Sequence, residues 1–334
     1  MATLLTGGLG FIGSHTAVKL IESGRDVVII DNLSNSCIEV LNRIEKITGI
    51  RPIFHNIDLR NENQLHQFFS NFSFDVVFHF AALKAVSESV QNPLDYYENN
   101  VHGTINLLSC ISKTNINKFI FSSSATVYGE IEKLPAFEDS ERGKITSPYG
   151  NSKYFVEQIL EDFKRSVDDF NYISLRYFNP IGAHISGLLG EDPLDIPNNL
   201  VPIVCKVAAG SIKTLEIYGN DYPTKDGTCL RDYIHVDDLA EGHKFALDYL
   251  DKNNQSMNVN LGTGKPYSVL EVIKTFESVN KIKLNYKFSA RRKGDIAKLY
   301  SDASLARDVL KWTPKLGLKE MLRDSWNFHK KNSK

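Results

Sequence analysis

Tyr149 and Lys153 stand four residues apart in Ser147-Pro148-Tyr149-Gly150-Asn151-Ser152-Lys153, at the start of an expected helix, Pro148–Ser166. That spacing puts both side chains on one helix face. A tyrosine hydroxyl titrates near 10, so service as a base near pH 7 means lowering it by about three pH units, ~4 kcal/mol. One unit charge at ~4 Å in an effective dielectric near 20 supplies an energy of that order. The Lys153 ammonium is therefore the expected activator of Tyr149. Ser122-Ser123-Ser124 ends an apolar run that begins at Lys118. Ser124 is a hydroxyl able to share a substrate hydroxyl proton and position it. A Tyr/Lys pair alone also fits an exposed surface pair, and its weight comes from what precedes it.

At the other end of the chain, Thr6-Gly7-Gly8-Leu9-Gly10-Phe11-Ile12-Gly13 follows one strand and opens one helix. Two registers fit, Gly8-x-Gly10-x-x-Gly13 and Gly7-x-x-Gly10-x-x-Gly13. Glycines let a backbone turn tightly against a pyrophosphate, with the helix N-terminus facing the anion. Asp31 ends the second strand, 18 residues past Gly13. A carboxylate there accepts from both hydroxyls of an adenosine ribose and repels a 2′-phosphate, while Asn32 offers no compensating cation. The expected cofactor is NAD, not NADP. Its oxidised nicotinamide is a second positive charge for lowering Tyr149. Asp58, after the third strand, either meets the adenine edge or caps the next helix. Phe80-Ala81-Ala82 places small residues where backbone must lie against the cofactor.

The elements that must position these groups are legible as alternation. Strands are expected at Thr3–Leu5, Asp26–Ile30, Pro52–His55, Asp75–Phe80, Lys118–Ser122 and Tyr172–Tyr177. Helices are expected at Ile12–Ser23, Ile38–Thr48, Glu62–Phe72, Pro93–Lys113 and Pro148–Ser166. Val27-Val28-Ile29-Ile30 lacks polar alternation, as in a parallel strand buried on both faces. Repeated β-α units make a Rossmann-type doubly wound parallel sheet, joined to a smaller mixed α/β substrate domain. The expected division is 1–180 for the dinucleotide domain, with a return segment near 235–262, and 181–334 for the substrate domain. Asn179–Asn199 reads as a long irregular segment. Beyond it come a helix near Leu200–Ala209, strands near Thr214–Tyr218 and Thr228–Ile234, and a helix from Val236 capped through Asp237 or Asp238. A strand at Leu284–Phe288 and a final helix from Leu318 complete the chain.

Charges nearly cancel, 39 basic against 40 acidic, which disfavours a nucleic-acid surface. The four cysteines, Cys37, Cys110, Cys205 and Cys229, have no metal-ligand spacing. They are read as reduced and mostly buried in a cytoplasmic protein. No apolar run approaches the roughly 18 residues of a spanning helix, so no membrane partner is expected. The nine histidines form no His-Glu-x-x-His set; metal is not implied, and His235 and His243 are read as structural.

The order glycine turn, Asp31, serine-ended strand, Tyr-x-x-x-Lys resembles the extended short-chain dehydrogenase/reductase superfamily. The finer resemblance is to the UDP-glucose (UDP-galactose) 4-epimerase family. It is carried by Thr6–His15, Ile30-Asp31-Asn32, Leu83-Lys84-Ala85-Val86, Glu88-Ser89-Val90-Gln91, Pro93-Leu94-Asp95-Tyr96-Tyr97, Phe121–Gly129, Ser147–Lys153, Arg176–Gly182, Gly190–Leu200, Gly219–His235 and Arg291–Asp295. The resemblance implies that Tyr149 takes the proton of the sugar 4′-hydroxyl while hydride passes from C4′ to NAD. The 4-keto sugar then turns about its diphosphate, and hydride and proton return to the other face.

The same resemblance implies cofactor contacts at Gly7, Gly10, Phe11, Ile12, Gly13, Asp31, Asn32, Asn35, Ser36, Asp58, Leu59, Phe80, Ala81, Lys84, Asn99, Ser122, Tyr149, Lys153 and Phe178. It implies UDP-sugar contacts at Ser124, Asn179, Asn199, Leu200, Glu216, Ile217, Tyr218, Arg231, Arg292, Asp295 and Leu299. Arg231 and Arg292 suit a diphosphate; the plainer reading of each is an ion pair. A homodimer pairing the helices at Pro93–Lys113 and Pro148–Ser166 is implied as well.

Competing chemistries are separated by single positions. A nucleotide-sugar 4,6-dehydratase needs an Asp-Glu pair before Val-Tyr-Gly, where this chain has Ala125 and Thr126. A uronic-acid epimerase or decarboxylase is disfavoured by the Asn179 and Gly190–Leu200 segments. A non-catalytic NAD-binding regulator of the same fold would have lost the Tyr/Lys pair. The resemblance places a bulky tyrosine at position 299 in members restricted to UDP-glucose and UDP-galactose. Leu299 is shorter, which leads to an expected dual activity on UDP-GlcNAc and UDP-GalNAc; the plainer reading is that Leu299 only packs a pocket wall.

Overall fold

A computed structural model describes residues 2–193, 199–292 and 295–332. Six strands alternate with helices through the first half: β1 (Ala2–Thr6), β2 (Asp26–Asp31), β3 (Ile53–Asn56), β4 (Val76–His79), β5 (Lys118–Ser124) and β6 (Asn171–Tyr177). With the later strand Met257–Leu261 they form one seven-stranded sheet, in the order Met257–Leu261, β6, β5, β4, β1, β2, β3. The pairings of β1 with β2, β1 with β4, β2 with β3 and β4 with β5 are parallel. The chain winds outward from β1 to β3, then returns to β4 on the other side of β1. The order therefore reverses between β1 and β4. In an open parallel sheet the crevice beyond the C-terminal strand ends at such a reversal is where ligands bind. Gly7 follows β1 and Phe80-Ala81 follows β4, so the glycine turn lies at that reversal. Val27–Ile30 is buried throughout, as its unbroken apolar run requires. Phe119, Phe121, Leu107, Leu160 and Phe170 pack in the core of this sheet.

The chain divides into two units. The first comprises Met1–Glu130, Glu141–Arg176 and Ala240–Val259; the second comprises Ile131–Ser140, Tyr177–Leu239 and Asn260–Lys334. In the second, Asn179–Ile181 runs parallel to Leu230–His235, which also pairs with Pro266–Ser268 and Lys298–Leu299. A separate parallel pair joins Leu215–Tyr218 to Tyr286–Ser289. Val204, Leu215, Val272, Phe276 and Leu322 belong to its own core.

Several expectations are corrected. Residues 131–140 belong to the second unit, because Ala136 N donates to the Tyr300 carbonyl and Asn260 Nδ2 donates to the Ala136 carbonyl. Pro93–Lys113 is not one α-helix: Pro93–Tyr96 and Gly103–Ile111 flank a π-helical segment, Tyr97–His102. Asn179–Asn199 is not wholly irregular, since Asn179–Ile181 is a strand; residues 194–198 lie outside the described residues. Asp237 and Asp238 lie inside the helix Val236–Asn253, in its first turn, and not before it. Asp237 N donates to His235 Nδ1, and Asp238 Oδ2 accepts from the Lys315 and Leu316 amides.

Candidate active site

Gly7 has φ +66°, and a Cβ there would lie 2.6 Å from Ala81 N. A Cβ at Gly13 would lie 2.5 Å from the Gly7 carbonyl oxygen, and Gly10 N donates to that same oxygen at 3.1 Å. Gly7, Gly10 and Gly13 thus form the mutually dependent set, which decides between the two registers; Gly8 packs against the Ile29 side chain. The helix Phe11–Glu22 starts at Gly10 without a side-chain cap or an acidic residue in its first turn. Its leading amides, at Phe11, Ile12 and Gly13, suit an anion.

Asp31 is buried at the end of β2. Its Oδ2 accepts from Leu9 N (3.1 Å), and its Oδ1 accepts from Leu33 N (2.9 Å) and Ser36 Oγ (2.8 Å). Ser36 thereby holds the carboxylate in place, while Asn35 is exposed. Asn32 Nδ2 donates to Asp58 Oδ2 at 3.0 Å, and the Arg60 guanidinium grips both Asp58 oxygens at 3.0 and 2.7 Å. The Arg60 hydrogen bond holds the Asp58 carboxyl far below the usual range. The helix-cap alternative for Asp58 fails, because Asn61 caps Glu62–Asn71 by accepting from Gln64 N. Leu59 is buried, and its carbonyl accepts from Asn106 Nδ2. These residues fit a dinucleotide: an uncapped helix start, a cradle that any side chain at Gly7 would fill, and a fixed carboxylate beside a neutral asparagine.

The helix Pro148–Ser166 begins where it must for Tyr149 to act. Ser147 Oγ accepts from Gly150 N at 3.1 Å, and Pro148 takes the first helical position, where no N–H is needed. Tyr149 then lies in the first turn of that helix. One turn on, buried Lys153 donates to the Ser122 carbonyl at 2.7 Å, with Nζ 4.9 Å from the Phe121 ring centre. Ser122, a cofactor contact implied by the resemblance, thus meets Lys153 through its backbone.

Burial pushes the Tyr149 phenol above its ordinary value near 10; the groups that oppose it are the Ser124 hydrogen bond and then the Lys84 charge. Burial also pulls the Lys153 ammonium down, to about 7, partly offset by the Glu157 carboxylate. A proton bound by the unfolded chain up to about pH 10.5 is therefore released near 7 by the folded chain. The resulting destabilisation is complete below about pH 7 and is relieved as pH rises toward 10.5. Lys153→Met in dinucleotide-free protein is expected to raise the urea midpoint at pH 6, with the gain gone by pH 10. An equal gain at both pH values would contradict this.

Three groups escaped the sequence reading. Glu157 and Arg176, each 1% exposed, pair through Nε–Oε1 at 2.9 Å and Nη2–Oε2 at 2.8 Å. Ser123 Oγ donates to Glu157 Oε1 and Arg176 Nη1 donates to the Tyr128 hydroxyl, so the pair braces the end of β5. Asn100 Oδ1 accepts from Leu83 N and Asn99 Nδ2, and Asn100 Nδ2 donates to the Leu83 carbonyl and Ser152 Oγ. Asn99, expected at the cofactor, therefore neighbours a clamp between Leu83 and the catalytic helix. His79, pushed down to about 3 by burial, joins Thr6 and Thr104 as a neutral ring. An arginine inside the apolar run Tyr172–Tyr177 was the available signal for a buried carboxylate partner.

In the second unit the substrate candidates fall on several elements. Phe178 is buried and Asn179 opens a strand. Asn199 precedes the helix Leu200–Ala208, and its Nδ2 donates to Glu191 Oε1. Glu216, Ile217 and Tyr218 lie on one strand: Glu216 pairs with Lys287 at 2.8 Å, Ile217 is buried, and Tyr218 is half-buried. The Arg292 guanidinium stands 4.7 Å from the Tyr218 ring centre, with Nε 3.1 Å from Asp295 Oδ2. Leu299 is in register beside Arg231 on the adjacent strand. Arg292, Tyr218 and Asp295 are thus one cluster and Arg231 with Leu299 another. His235 meets Asp324 and backs Gly182, while in the first unit His243 lies against Phe80, as structural residues do.

A doubly wound parallel sheet with a glycine turn at its reversal, and Ser/Tyr/Lys at the end of β5 and the next helix, defines an extended short-chain dehydrogenase/reductase. The family model described as GDP-mannose 4,6 dehydratase matches residues 4–325. The UDP-glucose 4-epimerase of Erwinia amylovora is 51% identical over 332 residues, covering 99% of this chain and 98% of that protein. The crystal structure of the Bifidobacterium longum UDP-glucose 4-epimerase, in complex with NAD+ and UDP, superposes with a TM-score of 0.96 at 48% identity over 99% of each chain. The UDP-Glc/GlcNAc 4-epimerase of Campylobacter jejuni gives 0.85 at 38% identity over 99% of each. The chain belongs to the family of the GDP-mannose 4,6 dehydratase model and, within it, to the UDP-glucose 4-epimerases.

Proposed function

We propose that the chain inverts C4′ of UDP-hexoses, with NAD held by the first unit and UDP by residues of the second. The observation that carries this is Tyr149 one helical turn before buried Lys153, which donates to the Ser122 carbonyl at the end of β5, in a chain half identical to a 4-epimerase over its length. The dehydratase in the family model's description does not transfer, since Ala125 and Thr126 can serve as neither acid nor base in eliminating water.

NAD, when bound, accepts hydride from C4′ and gives it back. The chain's own residues do the rest. Asp31 takes the adenosine ribose, and Arg60 cannot compensate a 2′-phosphate because Asp58 already neutralises it. Asn32 fixes Asp58, and Lys84, Asn99 and Phe178 belong to the same cofactor assignment. Tyr149 removes the 4′-hydroxyl proton as base and returns it as acid. Arg231 and Arg292 hold the diphosphate while the ketone turns; Asn179, Asn199, Leu200, Asp295 and Glu216–Tyr218 position the sugar and the uracil. Purified protein given UDP-galactose, with and without added NAD, is expected to form UDP-glucose; no product under either condition overturns the reading.

Leu299, beside Arg231, underlies the second part of the reading, activity on the acetamido sugars. Leu299→Tyr is expected to lower turnover of UDP-GalNAc at least ~10-fold while sparing UDP-galactose, on the scale of a pocket clash. Undiminished UDP-GalNAc turnover would refute it. A homodimer is supported by Val86, Val90, Leu94, Ile105 and Phe155, large apolar side chains exposed on the helices of the first unit. Sedimentation at the mass of one chain would remove that proposal. Four free cysteines, three of them buried, support a reducing, cytoplasmic setting. No described helix is long and apolar enough to cross a membrane.

A further inference from the structure

We infer that Asp232 is a positioning residue for substrate discrimination: its carboxylate fastens residues 298–301 to the strand Leu230–His235 and so makes Leu299 a fixed wall beside Arg231. The inference rests on the reading of Leu299 as the wall that meets the sugar's 2-substituent. Asp232 is fully buried in the second unit, one residue past Arg231 on that strand. Successive side chains of a strand point to opposite faces, so the carboxylate lies on the face away from Arg231. Its Oδ1 accepts from Thr263 N at 2.9 Å and Thr263 Oγ1 at 2.5 Å. Its Oδ2 accepts from Gly264 N at 3.0 Å, Ser301 N at 3.1 Å and Ser301 Oγ at 2.6 Å. Three of these donors are backbone amides, which can only donate, so the carboxylate is the acceptor whichever way the hydroxyls turn.

Lys298–Leu299 needs such a fastening. It is a strand of two residues with two registered pairs, Lys298 with Leu230 and Leu299 with Arg231. A slip of one residue would turn Leu299 to the other face and set Lys298 beside Arg231. Ser301 N and Oγ, landing together on one Asp232 oxygen, pin the register. Ala136 braces the same segment through the Tyr300 carbonyl and Asp302 N; Asp232 ties it, past the end of the two-residue ladder, to the strand carrying Arg231. The carboxylate is held in turn by the Thr263–Gly264 backbone. A Cβ at Gly262 would come within 2.6 Å of Asp232 Oδ2, so this turn closes on the carboxylate without room for a side chain.

A wall that yields discriminates less. In otherwise wild-type protein Leu299→Tyr should lower kcat/KM for UDP-GalNAc relative to UDP-galactose at least ~10-fold. Asp232→Asn keeps the side-chain shape but sets an amide against N–H donors. In that background the Leu299→Tyr penalty should shrink to about threefold or less, a coupling that a double-mutant cycle reads directly. Ser301→Ala removes one donor of the five and should move the penalty part of the way, and it serves if Asp232→Asn fails to fold. A merely structural role would slow both sugars alike and leave the Leu299→Tyr penalty unmoved. An equal penalty in all three backgrounds overturns the inference.

Hydrogen exchange gives a readout without turnover. In Asp232→Asn the amides of residues 298–301 should exchange at least ~10-fold faster than in wild type, as local opening of a released segment requires. Those of Leu215–Tyr218, on a separate pair of strands in the same unit, should exchange as before. Unchanged exchange at 298–301, or an equal acceleration at 215–218, also overturns the inference. Should Leu299→Tyr cost nothing in otherwise wild-type protein, the reading of Leu299 falls, while exchange still decides whether Asp232 holds the strand.

Discussion

Tyr149→Phe is expected to lower kcat by 10²–10⁴-fold, the range for removal of a positioned acid or base. No other group stands ready to replace it. Lys153 donates to the Ser122 carbonyl, and Ser124 Oγ is engaged by the Thr126 amide and hydroxyl. The ring itself packs edge-on against Tyr96, a contact phenylalanine keeps. The thermal midpoint and KM for UDP-galactose should therefore change little while turnover collapses. A kcat within about fivefold of wild type, measured on folded protein, would remove Tyr149 from the chemistry.

The largest stability effect is expected at Glu157. Glu157→Gln leaves Arg176 charged and 1% exposed without its carboxylate, and breaking such a pair from one side costs about 3–5 kcal/mol. In a domain of this size the melting temperature should fall on the order of 10 °C. Replacing both partners, Glu157→Leu with Arg176→Met, should recover most of that loss, because no uncompensated charge remains. A double variant as unstable as the sum of the two singles would contradict this account. Catalysis is affected too, since the Glu157 charge supports the Lys153 ammonium.

The parallel sheet and its glycine turn were legible because they are local: unbroken apolar runs, glycine spacing, and an acidic residue ending β2. The catalytic Tyr/Lys pair was legible for the same reason, one helical turn on one element. What escaped was non-local. Glu157 and Arg176 meet across a helix and a strand, and no periodicity connects them. Residues 131–140 join the second unit through backbone hydrogen bonds to Tyr300 and Asn260, which no side-chain pattern encodes. The π-helical Tyr97–His102 reads as ordinary helix by composition; Asn100 within it serves Leu83 and Ser152 together. Asp58 was left between two roles because Asn61, a better cap, stood three residues away. The burial that opposes ionisation of Tyr149 also escaped, since burial is a property of the assembled site and not of spacing along one helix.

The central claim is that C4′ is oxidised and then reduced by the same hydride, with Tyr149 handling only the hydroxyl proton. UDP-galactose carrying deuterium at C4′, converted by the enzyme in ordinary water, tests it directly. The account predicts UDP-glucose with the deuterium still on C4′. Protium at C4′ in the product would mean that the carbon exchanged with solvent, and would contradict it.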